Sequence, residues 1–161
     1  MCIRDRYKAV VVDRETVPSD IKLTAEVDID HSYSQGMSSV SQATLAILLA
    51  LDLVHAKDIT IVGRGHAVQN LAKYLTLGNA TVTVAHSKTK SLLQATMNRD
   101  VVIYATPTIT KDISYNTRDL VIDLGNSVPH PDRFNCPYMN RIGQLTVSVL
   151  LNRFARKEHR A

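Results

Sequence analysis

Short apolar runs alternate with helical segments along the second part of the chain, and this alternation restricts the fold more than any other feature. Four runs rich in Val, Ile and other apolar residues have the composition of buried strands: 59–62, 80–85, 101–105 and 120–124. Three segments have helical patterns: 66–77, 91–98 and 146–156. Near-continuous apolar strands joined by helices are typical of a parallel sheet covered on both faces. The sequence therefore predicts an α/β fold, a doubly wound parallel sheet with helices on both faces.

The part of the chain before these strands is more polar. A β-branched run at 9–12 predicts a short strand, and turn signals follow it as far as Gly36. Ser38 or Ser39 then predicts the N-cap of a helix that runs from residue 40 to about residue 54.

Composition excludes several classes of protein. The chain has 161 residues and is 45% hydrophobic, which is enough apolar material for one core. Its longest apolar stretch, 43–54, is too short to cross a bilayer. Two cysteines, Cys2 and Cys136, cannot form a disulfide scaffold or a four-ligand zinc site by themselves. No signal peptide pattern begins the sequence, so a cytoplasmic protein with no membrane partner and no metal site is expected.

The charge is unevenly distributed. Residues 1–56 carry five Lys or Arg against eight Asp or Glu, whereas residues 57–161 carry fourteen against seven. A basic half can bind nucleic acid or a phosphorylated cofactor. Nucleic acid ranks behind, because aromatic residues are not interleaved with the basic ones and the basic segment 153–160 is expected to be a solvated helix end.

A glycine-containing turn directly follows the first strand of the alternating part. Gly63-Arg64-Gly65 stands between that strand and a predicted helix, which is the context that a nucleotide-binding turn requires. Glycine lets the backbone approach a pyrophosphate, and a helix N-terminus offers N–H groups to it. Val68 occupies the place of the third glycine of the G-x-G-x-x-G pattern. The turn is therefore either a nucleotide-binding loop or a plain tight turn.

The loop after the second strand is basic and reads His86-Ser87-Lys88-Thr89-Lys90. Sites specific for NAD usually place an acid here, about 20 residues beyond the first glycine, to bind the ribose hydroxyls. With Arg64 nearby, this acid-free loop can instead hold the 2′-phosphate of NADP through charge-assisted hydrogen bonds. The alternative is a solvated basic loop. His86 is expected to be structural or to contact the cofactor rather than to act as an acid or base.

These segments, taken in order, resemble the C-terminal, NADP-binding part of the bifunctional methylenetetrahydrofolate dehydrogenase/cyclohydrolase family. Residues 61–68 are similar to its V-V-G-R-S-x-I-V, and residues 80–89 to its A-T-V-T-x-C-H-S-x-T. Further similarities lie at 100–105, 121–126 and 142–152. A weaker one lies at 27–36, against V-D-G-x-H-x-x-N-x-G. The resemblance implies a Rossmann-like domain that binds NADP and belongs to one-carbon folate metabolism, with oxidoreductase and hydrolase activities in the whole enzyme.

The resemblance also implies roles for individual residues. Gly63, Arg64 and Gly65 would form the pyrophosphate turn, and Arg64 and Ser87, with Lys88 in the same loop, would lie at the 2′-phosphate. Ala105 and Thr106 would lie along the cofactor, and Gly143 and Thr146 would lie near the nicotinamide. Asp28 would contact the pterin ring of the folate.

Departures from the family pattern qualify the prediction. Gly65 stands where the family has serine, and Gln69 and Leu71 replace a glycine and a proline. The family's P-G-G-V-G-P loop reads Met139-Asn140-Arg141-Ile142-Gly143-Gln144, and losing two glycines is expected to crowd or reshape the site. The family's catalytic Y-x-x-x-K does not occur in the sequence, so no catalytic residue is assigned.

The departures suggest a divided chain. Residues 1–36 are expected to be the remnant of a folate-binding catalytic domain, with 1–6 as a foreign leader, and 37–161 to be the NAD(P)-binding domain. The chain is then either the cofactor half of an enzyme, inactive alone, or a diverged non-catalytic nucleotide-binding or interaction module. Folate would be a partner only with the missing domain present, and a homodimer is an expectation from the family.

Overall fold

The computed structural model describes residues 36–160, and a single parallel sheet lies at its centre. The strands are β1 (Asp58–Val62), β2 (Thr81–Ala85), β3 (Arg99–Tyr104), β4 (Thr117–Asp123) and β5 (Tyr138–Met139). They pair in the order β2-β1-β3-β4-β5, and every pair is parallel. The predicted fold class, a doubly wound parallel sheet, is confirmed.

Within residues 36–160, four helices accompany the sheet: α1 (Ser39–Ala50), α2 (Leu71–Leu77), α3 (Leu92–Thr96) and α4 (Gly143–Arg160). Short 3₁₀ turns add His66–Val68 and Pro131–Arg133. The predicted cap of α1 is Ser38, whose side chain accepts a hydrogen bond from the Ser41 amide at 3.1 Å. This bond satisfies one of the free N–H groups of the first helical turn.

The core has one layer on each face of the sheet. On one face, Leu48 of α1 and Leu71 and Leu75 of α2 pack against Ile61 and Ile103. On the other face, Leu92 of α3 joins a cluster with residues of the same central strands and with Phe134. Because alternate side chains of β1, β3 and β4 enter opposite layers, these strands are apolar almost throughout, as the sequence indicated.

The helix predicted up to residue 54 ends earlier, and the prediction was wrong there. Asp52 takes a left-handed conformation with φ of +55°, and the Leu53 amide returns to the Leu48 carbonyl at 2.8 Å. This hydrogen-bonding pattern closes the helix at Ala50. The apolar pattern continues beyond the helix because Leu53 and Val54 pack into the same core.

The helix predicted at 66–77 is interrupted. Its first part is the 3₁₀ turn, and Asn70 has a φ of +59°, so α2 begins only at Leu71. The side-chain amides of Gln69 and Asn70 both donate to the Gly36 carbonyl, at 2.9 and 3.0 Å. Asn is one of the few residues that adopts the left-handed conformation readily, so the local sequence permits the break.

The remaining elements differ less from the predictions. Strand β5 was not predicted, because it is two residues long and follows Pro137; its pairing with β4 defines it. Helix α4 begins at Gly143 rather than at residue 146. In the part of the chain from 36 to 160, no helix is both long and apolar enough to cross a membrane. Several predictions fall outside the described residues: the strand at 9–12, Cys2, Asp28 and nearly all of the 1–36 remnant.

Candidate functional site: a cleft at the strand ends

The cleft lies where the strand order reverses. From β1 the chain passes to β2 on one side and later to β3 on the other, so the loops after β1 and β3 leave in opposite directions. Ligands of doubly wound sheets bind at this kind of switch point, beyond the carboxyl ends of the strands. A cleft of about 390 Å³ opens here. Its lining comes from the loops after β1, β2 and β3 together with Leu92 of α3.

Six residues predicted from the sequence meet in this cleft: Gly63, Arg64, Gly65, Ser87, Ala105 and Thr106. They come from three separate loops, which the parallel sheet brings to one edge. Lys88, Gly143 and Thr146 do not line it. Gly143 is the first residue of α4, and Thr146 Oγ1 donates to the Ile142 carbonyl at 3.2 Å. Asp28 lies outside the described residues.

Gly63 is needed by the backbone itself. Its φ is +124°, and a Cβ built on it would lie 2.7 Å from the Ala105 carbonyl oxygen. Two backbone bonds hold this approach: the Gly63 amide donates to the Ala85 carbonyl, and the Ala105 amide donates to the Val62 carbonyl, both at 2.8 Å. The strand ends are thereby fixed against each other, and only glycine fits between them without strain.

Gly65 differs from Gly63 in this respect. Its φ is −79°, and a Cβ built there would meet nothing within 4 Å. The backbone conformation at Gly65 therefore does not require glycine, and Gly65 is one of the residues that line the cleft. The residues that follow form a 3₁₀ turn rather than the predicted α-helix, so the expectation that this turn opens a helix was wrong.

The basic loop after β2 is an ordered turn. The His86 amide donates to Thr89 Oγ1 at 2.8 Å, and the Thr89 amide donates to the His86 carbonyl at 2.9 Å. The Lys88 amide donates to Nδ1 of the His86 ring at 3.2 Å. Because that ring nitrogen accepts a bond, His86 helps to shape the loop, in agreement with the structural role expected for it. Ser87 is presented toward the cleft, which it lines.

Lys111 was missed by the sequence reasoning. Its ammonium donates to the carbonyls of Ser87 and Thr89, at 3.1 and 2.7 Å, and it lines the cleft. It follows β3 by seven residues in an irregular loop, and no motif or periodicity singles it out. Only the three-dimensional proximity of the two loops reveals the contact.

Asp123 supports the neighbouring loop from within the core. Its carboxylate is fully buried and accepts hydrogen bonds from the Ser127 and Val128 amides, at 3.1 and 3.0 Å. It also accepts one from the Tyr138 hydroxyl at 2.7 Å. Burial, together with the bond to Asp123, raises the pKa of Tyr138, so this hydroxyl keeps its proton and remains a donor at neutral pH. Asp123 therefore anchors the backbone of the loop that follows β4.

A second hollow, of about 530 Å³, lies on the α2 side of the Gly63–Gly65 turn. Gln69 and Asn70 line it, and their side chains hold the segment at Gly36. The Gly63–Gly65 turn borders this hollow as well, together with Val84 near the end of β2. No described residue of the loops after β2 and β3 lines it, so the smaller cleft, where all three loops meet, is the better candidate site. Among the described residues, no three His, Cys, Asp or Glu side chains group as metal ligands.

Comparison with known sequences agrees with this geometry. The family described as tetrahydrofolate dehydrogenase/cyclohydrolase, NAD(P)-binding domain, matches residues 38–161, most of the chain. The chain belongs to this family. Its matched part is the NAD(P)-binding domain, as the resemblance of the strand-end motifs implied.

Two relatives show how much of the family's length is present. The bifunctional protein FolD of Clostridium beijerinckii is 31% identical over 128 residues, which are 69% of this chain and 45% of that protein. FolD of Brucella ovis is 34% identical over 139 residues, 76% of this chain and 46% of that protein. The chain thus spans about half the length of these relatives.

Solved structures share the fold. The Campylobacter jejuni bifunctional enzyme FolD superposes with a TM-score of 0.71 at 19% identity, covering 90% of this chain and 65% of that one. The Trypanosoma brucei dehydrogenase-cyclohydrolase, solved with NADP cofactor and inhibitor, gives a TM-score of 0.69 at 21% identity. That match covers 95% of this chain and 67% of the other. The Rossmann-like architecture is therefore confirmed.

Proposed function

We propose that the chain binds NADP in the cleft at the ends of β1, β2 and β3. The proposal rests on one observation: three loops bring six predicted cofactor residues into one cleft. The loop at the position that would select NAD carries Ser87, Lys88 and Lys90 and no acid. The relative from Trypanosoma brucei was solved with NADP, which supports the same choice.

The residues present fit such a cofactor. The space in front of Gly65 is open and leaves room for a pyrophosphate to approach the backbone. A Cβ at this position would begin to fill that space. Arg64 and the hydroxyl of Ser87 suit a 2′-phosphate, because a guanidinium and a hydroxyl are both donors to its oxygens. Ala105 and Thr106 then lie along the cofactor. Gly143 and Thr146 are assigned to the nicotinamide end, and Lys88 to the phosphate loop, by the family pattern alone.

The wider role is that of the cofactor half of a methylenetetrahydrofolate dehydrogenase/cyclohydrolase. When bound, NADP would supply the hydride acceptor for oxidation of the one-carbon unit of the folate. The residues of this chain contribute to that step by binding and orienting the cofactor, since no catalytic Y-x-x-x-K occurs in the sequence. We expect no turnover by this chain alone. Asp28 is proposed to hold the pterin ring when the rest of the folate site is supplied.

Two further expectations accompany this role. A homodimer is proposed on the family resemblance. A cytoplasmic location remains a prediction. The division at residue 36 is likewise proposed, with the matched domain beginning close to it at residue 38.

Arg64→Ala tests the assignment of the 2′-phosphate. We expect the variant to raise the Kd for NADPH about tenfold or more, because a charge-assisted bond to the phosphate is lost, and to change the Kd for NADH little. Titration of nucleotide fluorescence measures both constants.

Arg118→Ala is the matched control, because it removes the same charge at the opposite end of the sheet. Arg118 is the second residue of β4 and pairs with Asp100 at 3.2 Å, away from the cleft. It is expected to leave both constants unchanged. The assignment of Arg64 fails if the two variants raise the Kd for NADPH equally. The cofactor role fails if the unaltered chain binds neither nucleotide.

A further inference from the structure

The two loops beside the cleft are joined by a single side chain. Lys111, from the loop after β3, donates to the carbonyls of Ser87 and Thr89 in the loop after β2. These two carbonyls flank Lys88, so the ammonium spans the tip of the basic loop. No other side-chain hydrogen bond between the 86–90 and 106–111 loops is present in the described part of the chain.

The contact acts on the residue that faces the ligand. The bonds within the 86–90 loop run between His86, Lys88 and Thr89, and none of them involves Ser87. Ser87 lies inside the turn that the His86–Thr89 bonds close, and among the described residues the bond from Lys111 is the hydrogen bond that reaches Ser87 itself. Restraint before binding reduces the entropy lost when a ligand orders the loop.

The chemistry of lysine suits this position. An ammonium has three N–H donors and no acceptor, so it can hold two carbonyls and keep a donor directed elsewhere. It also adds a positive charge to a loop that has Lys88 and Lys90 but no acid. The positive charges of Lys88, Lys90 and Lys111 repel one another, and the two carbonyl acceptors offset this by binding the Lys111 ammonium directly.

We propose that Lys111 is a positioning residue for recognition of the 2′-phosphate, acting by clamping the Ser87 loop against the loop after β3. This inference rests on the proposed function, because it gives the clamped loop its ligand. Lys111, which lies outside both the glycine turn and the basic loop, then contributes to the preference for NADPH over NADH.

The first test compares nucleotide affinities. Lys111→Met, which keeps the length of the side chain and removes its donors, should raise the Kd for NADPH roughly threefold to tenfold and that for NADH by less than about twofold. Lys90→Met is the comparison for charge alone, because it removes the same charge from the exposed end of the 86–90 loop, and in the described part of the chain the Lys90 side chain makes no hydrogen bond to the 106–111 loop. Lys111→Arg, which keeps the charge and can donate to both carbonyls, should restore most of the affinity for NADPH.

The second test needs no nucleotide. Amide hydrogen exchange of the full chain should show faster exchange at residues 88 and 89 in Lys111→Met than in the unaltered chain or in Lys90→Met. Unchanged exchange overturns the clamp. Equal losses of NADPH affinity in Lys111→Met and Lys90→Met also overturn it, since charge alone would then explain the effect. If the unaltered chain binds no NADPH while exchange still responds to Lys111→Met, the proposed function fails and the clamp has no 2′-phosphate to serve.

Discussion

Replacing Asp123 by alanine is expected to lower the free energy of unfolding by about 3–5 kcal/mol. The change deletes the acceptor of three hydrogen bonds and leaves the buried Val128 amide, together with the Ser127 amide and the Tyr138 hydroxyl, without their partner. Each buried donor left without a partner costs about 1–3 kcal/mol, so the loss of three such bonds has a cost of this order. Denaturant unfolding of the full chain, followed by circular dichroism, measures the loss.

Asp119→Ala provides the comparison within the same strand. Asp119 is about one-third exposed and pairs with Lys57 at 3.0 Å, and an exposed pair of this kind is worth less than about 1 kcal/mol. The two aspartates, four residues apart in β4, should therefore differ several-fold in their effect. Equal losses in the two variants would mean that the buried carboxylate does not anchor the loop.

Gly63→Ala should both destabilise the chain and abolish most of its affinity for NADPH. A Cβ at this position meets the Ala105 carbonyl oxygen at 2.7 Å, and alanine is strained at a φ of +124°. We expect a loss of about 2–4 kcal/mol in the free energy of unfolding, because the ends of β1 and β3 must separate. The affinity for NADPH should fall at least about tenfold as the cleft floor shifts.

Gly65→Ala is the control for Gly63→Ala, because it replaces a neighbouring glycine whose backbone is not strained. Gly65 has an ordinary φ and open space around it, so the substitution should leave the free energy of unfolding within about 0.5 kcal/mol of the unaltered chain. A loss at Gly65→Ala as large as that at Gly63→Ala would show that the two glycines serve the same structural purpose, contrary to the geometry.

The central strands of the sheet could be predicted from local sequence patterns. The runs that became β1, β3 and β4 are buried on both sides, as their apolar composition indicated. The run 80–85 was predicted in the same way, but β2 lies at the edge of the sheet and is partly exposed, with Val84 44% exposed. The same argument could not detect β5, because two residues after a proline have no periodicity and depend on pairing with β4. Nor could it locate the end of α1, since Leu53 and Val54 remain in the core after the helix has stopped.

The candidate site was predictable to the extent that its residues lie at strand ends. Gly63, Arg64 and Ser87 follow their strands at once, so the topology of a parallel sheet brings them together. Lys111 lies farther along an irregular loop, and its contact with the Ser87 loop depends on how that loop folds back. The side-chain amides of Gln69 and Asn70 donate to the Gly36 carbonyl, and no spacing rule predicts this contact. Gln69 was identified from the sequence only as a departure from the family pattern, and Asn70 was not identified.

The central claim is that NADP binds in the cleft formed by the loops after β1, β2 and β3. Amide hydrogen exchange of the full chain, measured with and without saturating NADPH, tests it directly. We predict slower exchange at residues 63–65, 86–89 and 105–106 and no change at the amino-terminal ends of the strands, near Asp58 and Thr117. Protection confined to the opposite edge of the sheet, or no protection anywhere in the chain, would contradict the account.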